Sequence, residues 1–85
     1  MHLTLRQLQC FSAVAKNRSF TRAAEELHLT QPAVSMQVRQ LEQQAGLPLT
    51  EQFGKKVHLT EAGEEVYRYV RSILQQVDEM DDVLN

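Results

Sequence analysis

The chain has 85 residues, 42% of them apolar and 24% charged, enough for one small domain that buries about 60% of its unfolded surface and too few for two. No apolar run approaches the roughly 18 residues of a membrane span, and no basic patch followed by an apolar stretch opens the chain, so neither membrane insertion nor a secretory signal is expected. The net charge of −2 is unevenly placed: residues 1–60 hold seven Lys/Arg against four Asp/Glu, and residues 61–85 hold two against seven, so a mildly basic body that suits a polyanionic partner carries an acidic appendage expected to face away from it.

Leu5, Leu8, Phe11, Val14 and Ala15 recur on one side of a helix over residues 4–16. Cys10 points away from that stripe and is expected at an interface or in solvent. As the only cysteine it excludes an intrachain disulfide, which fits a reducing cytoplasm. Asn17 and Arg18 interrupt the pattern, and Ser19 stands as the N-cap of a second helix of about two turns, with Phe20, Ala23, Ala24 and Leu27 on its apolar side. His28, Leu29 and Thr30 form a short turn. A third helix opens with Thr30 or Gln31 as cap and Pro32 in its first turn, buries Val34, Val38, Leu41 and Ala45, and stops at Gly46 and Pro48. Leu47 to Phe53 and Val57 to Leu59 predict a small hairpin around Gly54-Lys55-Lys56. Thr60 caps a last helix expected to run to Asn85, in which Val66, Val70, Ile73, Val77, Met80 and Leu84 keep heptad spacing.

Two helices joined by about three residues, the first with Ala23-Ala24 for close approach and the second with a polar stripe near its start, describe a helix-turn-helix, and the hairpin after it makes the arrangement winged. The fold expected is therefore mainly α: a winged helix-turn-helix with a short β-hairpin wing and a long C-terminal helix. Residues 1–59 would be the DNA-binding domain and 60–85 the linker and dimerisation helix. A helix fits the major groove of duplex DNA, where Gln31 can pair with adenine, Ser35 can reach a base or phosphate, and Pro32, Ala33 and Met36 can meet a thymine methyl. Arg39, farther along, suits a phosphate. Lys55 and Lys56 at the wing are candidates for flanking phosphates or the minor groove, the alternative being a solvated turn. Ser19, Thr21 and Arg22 are candidates for a phosphate clamp, the alternative being a cap beside an exposed arginine. Arg6, Lys16 and Arg18 offer only general attraction.

The two-position seam of the last helix calls for a partner helix, although part of it can pack on the first helix of the same chain. A homodimer is expected, because two recognition helices must meet grooves about one DNA turn apart. Asp78, Glu79, Asp81 and Asp82 form its solvated face. His2, His28 and His58 share no metal-ligand spacing, no catalytic arrangement of nucleophile and base can be argued, and no glycine-rich phosphate loop is present, so no metal, cofactor or catalytic role is expected. The competing reading is a winged module that docks a protein partner and ends in a generic coiled coil.

Leu8-Gln9-Cys10-Phe11, Ser19-Phe20-Thr21-Arg22-Ala23-Ala24, Leu29-Thr30-Gln31-Pro32-Ala33-Val34-Ser35, Leu41-Glu42, Gly46 and Leu59-Thr60-Glu61-Ala62-Gly63 resemble, in order and spacing, the N-terminal region of LysR-type transcriptional regulators. The resemblance implies a bacterial, cytoplasmic regulator that binds promoter or operator DNA, with an effector-binding domain beyond residue 85, antiparallel pairing of linker helices and higher oligomers of the full-length protein. It places Thr30, Gln31, Pro32, Ala33 and Ser35 at DNA-contacting positions. Met36 departs from the basic residue many members have, Thr50 from phenylalanine and Gln52 from arginine. Thr50 is expected to loosen the core beneath the wing and Gln52 to remove a phosphate contact, with Lys55 and Lys56 compensating. The stretches His28 to Arg39 and Gly54 to Thr60 are most similar to regulators of carbon-fixation operons.

Overall fold

Each helix of the protein begins at a hydroxyl residue whose oxygen accepts a backbone N–H of the first turn: Thr4 from Gln7, Ser19 from Arg22, Thr30 from Ala33 and Thr60 from Gly63. Such caps satisfy donors that have no partner within the helix, and they set where the chain enters each element. In the computed structural model, which describes residues 2–85, the order is α1 (Leu5–Asn17), α2 (Phe20–Leu27), α3 (Gln31–Ala45), β1 (Thr50–Phe53), β2 (Lys56–Leu59) and α4 (Glu61–Leu84). The first three helices end on left-handed residues, Arg18 at φ 52°, His28 at φ 56° and Gly46 at φ 79°. The sharp reversals they make let α1, α2 and α3 pack against one another. The fold is a winged helix-turn-helix, as expected.

The core lies where α1 meets α3 and α2, and Phe11, Val14, Ala23, Ala24, Val34, Val38 and Leu41 are its centre. Ala23 and Ala24 are buried on the inner face of α2, where their small side chains let α2 approach its neighbours. The wing pairs Thr50 with Leu59, Glu51 with His58, Gln52 with Val57 and Phe53 with Lys56. It is fixed beneath by Leu49 and Val57, both buried. Leu47 and Pro48 precede the first strand, and Leu47 is exposed, so the hairpin is shorter than expected at its start.

Packing overrides the single-stripe reading of the helices at several positions, Gln7 and Ala13 of α1 being buried off its stripe. Cys10 is fully buried, because α1 is covered by α3 on one side and by α2 and α4 on others, leaving no free flank for a thiol. Burial also raises its pKa above the ordinary thiol value, and Arg6 opposes that shift. Leu5 and Ala45, expected in the core, are exposed: each lies at the end of a helix, beyond the region that a neighbouring element covers. Val70 is 2% exposed and belongs to the protomer's own core rather than to an outward seam.

The first half of α4 completes the core. Gly63 and Val70 are buried, Val66, Tyr67 and Leu74 are half-buried against the cluster, and the Tyr67 ring meets Phe11 edge-on at 6.2 Å. From Gln75 onward every residue except Val77 is exposed. Ile73, Met80 and Leu84 present apolar surface to solvent, 42%, 57% and 75% exposed. A helix that starts inside a core and then leaves it with a residual apolar edge is built to cover that edge with something else.

Candidate nucleic-acid interface

The turn between α2 and α3 is held by backbone bonds from Leu29 N–H to the Ala24 carbonyl, 2.9 Å, and from His28 N–H to that of Glu25, 3.3 Å. These bonds close the end of α2 and aim α3 across it, so that the start of α3 stands free of the core. Thr30, Gln31, Pro32, Met36 and Arg39 are exposed there, while Ala33 and Ser35 are half-buried. The Gln31 amide donates to the Ser35 hydroxyl one turn on, which holds the two polar side chains together on the same face.

One open cleft of about 590 Å³ brings several of these residues together. Gln31, Ser35 and Arg39 line it from α3, Ser19 and Thr21 from the start of α2, and Gln52 and Lys55 from the wing. Pro32, Ala33 and Met36 lie on the same helix, and Thr30 at its N-cap, outside that lining. A second cleft, of about 500 Å³, is lined by Ser19 and Arg22 of α2, by Lys55 and Lys56 of the wing, and by Lys16, Asn17 and Arg18 at the end of α1. The residues proposed from the sequence at the wing and at the second helix therefore face each other across a shared hollow.

What holds the wing at this distance is Glu42, whose position in the sequence carries no signal beyond the family motif. Its carboxylate accepts from the backbone N–H groups of Leu49, 2.8 Å, and Thr50, 3.2 Å, and from the Thr50 hydroxyl, 3.4 Å. A charged acceptor shared by two amides is among the stronger hydrogen-bonded arrangements a protein makes. Thr50, expected to loosen the core beneath the wing, is instead half-buried and tied to α3 through its hydroxyl, above a fully buried Leu49. The carbonyl of Arg18 accepts from Val57 N–H at 3.2 Å and fastens the other strand to the α1–α2 corner.

Electrostatically the two clefts differ. Glu42 and Glu51 line the first, so it suits groups that donate as well as accept, as base edges do. The lining of the second contains no carboxylate. Lys16 is occupied in an ion pair with Glu26 at 2.9 Å, and a hydrogen bond from the Asn17 amide, together with this one from Lys16, lowers the Glu26 pKa. The acidic residues of the chain's end, Asp78, Glu79, Asp81 and Asp82, lie on the exposed end of α4 and line neither cleft. Among the described residues there is no group of His, Cys, Asp and Glu arranged to hold a metal ion, and no helix is long and apolar enough to cross a membrane.

Residues 5–64 match the family model described as "Bacterial regulatory helix-turn-helix protein, lysR family". The chain is 64% identical over 84 residues to a RuBisCO operon transcriptional regulator of Allochromatium vinosum, covering 99% of this chain and 28% of that relative. It is 54% identical over 77 residues to a RuBisCO operon transcriptional regulator of Acidithiobacillus ferrooxidans, covering 91% of this chain and 25% of that one. The structure superposes on that of a BenM DBD/benA site 1 DNA complex with a TM-score of 0.87 and 37% identity, over 95% of this chain and 94% of the other. The chain thus spans about a quarter of the length of the curated relatives it matches.

Proposed function

The chain belongs to the lysR family of bacterial regulatory helix-turn-helix proteins, and from that membership we propose that it is the part of a transcriptional regulator that reads duplex DNA as a dimer. The observation that carries the reading is that the exposed start of α3 stands between the start of α2 and the wing, with two adjoining clefts lined by polar side chains of the helix and by cations of the α1–α2 corner and the wing. A major groove admits one α-helix, and the exposed polar start of α3 supplies it. In this reading the recognition residues are Thr30, Gln31, Pro32, Ala33, Ser35, Met36 and Arg39. Gln31 offers an adenine its donor and acceptor once its bond to Ser35 yields to the base. Ser19, Thr21, Arg22, Lys55 and Lys56 hold the phosphate backbone on either side.

The dimer forms through the outward edge of α4, with Val66, Ile73, Val77, Met80 and Leu84 as the apolar contacts. Val70 is left out of that set because its own protomer encloses it. Pairing is antiparallel and higher oligomers form in the full-length protein, whose effector-binding domain follows this segment. The genes we propose it controls are those of carbon fixation, a reading supported by its likeness to the two RuBisCO operon regulators above. The protein works in the cytoplasm, where bacterial operators lie, and we assign this segment no catalytic role and no cofactor.

The test is fluorescence anisotropy with a labelled interrupted palindrome of the T-to-A kind against a scrambled duplex, at two salt concentrations. Two chains per duplex, preference for the palindrome and a steep fall with salt are expected. Gln31→Ala should cost roughly 1–3 kcal/mol on the preferred duplex and much less on the scrambled one. Equal loss on both would remove Gln31 as a base reader, and absence of binding to either duplex would favour a protein-docking module.

A further inference from the structure

Arg18 stands at an unusual place for its residue type. It is one of two non-glycine residues with positive φ among those described, at φ 52° and ψ 36°, a left-handed conformation that glycine takes without strain and a side chain with a Cβ does not. Its backbone accounts for why the corner exists: its N–H closes α1 on the Val14 carbonyl at 2.8 Å, and its carbonyl holds the wing through Val57. Both bonds are made by main-chain atoms, so neither calls for an arginine. The side chain must be explained separately. It is exposed and lines the same hollow as Arg22, Lys55 and Lys56. None of these four forms an ion pair among the described residues, and the fifth cation there, Lys16, is committed to Glu26. Four cations from three separate elements, converging without a carboxylate, repel one another unless an anion lies between them.

We propose that Arg18 is a DNA-contacting residue: at the α1–α2 corner it closes a phosphate clamp with Arg22, Lys55 and Lys56, gripping the backbone that flanks the groove occupied by α3. The inference rests on the DNA-reading function proposed above and adds to it a residue that no motif marks. Glu42 and Glu51 line the neighbouring cleft and are absent from the lining of this one, so the clamp offers a phosphate cations without a competing carboxylate. The contact reads charge and not sequence, because phosphates are the same at every step.

Arg18→Gly is the informative variant, since glycine suits the left-handed backbone and leaves both main-chain bonds in place. Its melting temperature is expected to equal or exceed that of the parent chain. Its affinity should fall alike on the preferred and the scrambled duplex, and the slope of log K against log salt should shrink by about one unit, equivalent to about tenfold in affinity between 1 M and 0.1 M salt. Arg18→Lys should restore most of that slope, because it returns the charge. If Arg18→Gly keeps the parent's affinity and slope while Gln31→Ala still loses its preference, the clamp is wrong and the DNA-reading function stands. If the parent chain binds neither duplex, both fall.

Discussion

Gly63 lies inside the first turn of α4, where helix propensity alone says that alanine would stabilise the protein by about 1 kcal/mol. The tertiary structure reverses the sign. A Cβ added at this position would stand 2.0 Å from the Leu49 carbonyl oxygen and 2.9 Å from its carbon, and ordinary contact needs at least 3.4 Å. Leu49 cannot simply retreat. Its side chain is fully buried, its N–H is bound to Glu42 at 2.8 Å, and its carbonyl accepts from Thr60 N–H at 3.1 Å. Forcing extra volume into a packed site costs roughly 1–3 kcal/mol, and loosening the Thr60 bond adds roughly 1 kcal/mol. Set against the propensity gain, Gly63→Ala should destabilise the fold by about 2 kcal/mol. For a domain of this size that lowers Tm by about 8–16 °C. Thermal unfolding followed by circular dichroism, at one protein concentration because a dimer's Tm depends on it, measures the change directly. Because the strain falls on the segment that seats the wing, amide exchange at Leu49 and Thr50 should also quicken. A variant with unchanged or raised Tm would show that the close approach of α4 to the Leu49 backbone is not a constraint, and the reasoning from it would fail.

Two positions of the heptad pattern on α4 should behave oppositely although their sequence context is alike. Ile73→Asp, at an exposed site, should leave the helical spectrum of the protomer intact and split the dimer, whereas Val70→Asp buries an unpaired charge in the core and should unfold the chain; light scattering with circular dichroism separates the two, and an Ile73→Asp protein that stays dimeric would place the interface elsewhere. Cys10 should be nearly inert to a thiol reagent in the folded protein and react fully once urea unfolds it, since burial both covers the sulfur and raises its pKa, keeping it a thiol at neutral pH. Fast labelling of the native chain would contradict its placement.

Much of the architecture was legible from local chemistry. Ser19, Thr30 and Thr60 are caps because a short hydroxyl chain before an apolar pattern satisfies donors that nothing else in the segment can reach, and Gly46 ends α3 because a left-handed residue is required there. These are interactions between residues a few positions apart, so their evidence is contained in a short window of sequence. The helix-turn-helix pattern, the wing and the candidate recognition face on α3 follow from the same windows and from periodicity.

Other features belong to contacts between residues distant in the chain, and no window shows them. Cys10 lies off the apolar stripe of its helix, yet it is enclosed because α1 is the element that several others surround. Val66, Val70 and Ile73 share one heptad pattern, and only the docking of α4 on α1 and the wing decides that Val70 faces inward while Ile73 faces out. Glu42 reads as one more exposed carboxylate until the chain returns seven residues later with two amides to be satisfied. Arg18 reads as an interruption between helices, and its place beside Arg22, Lys55 and Lys56 comes from the folding of the wing back onto the corner. Sequence determined the elements, the caps that start α2, α3 and α4, and the family, because those depend on short-range hydrogen bonding and on which side of a helix is apolar. Tertiary structure decided which apolar residues remain to be shared with a partner and which cations converge, because burial and charge clustering are properties of surfaces assembled from remote segments.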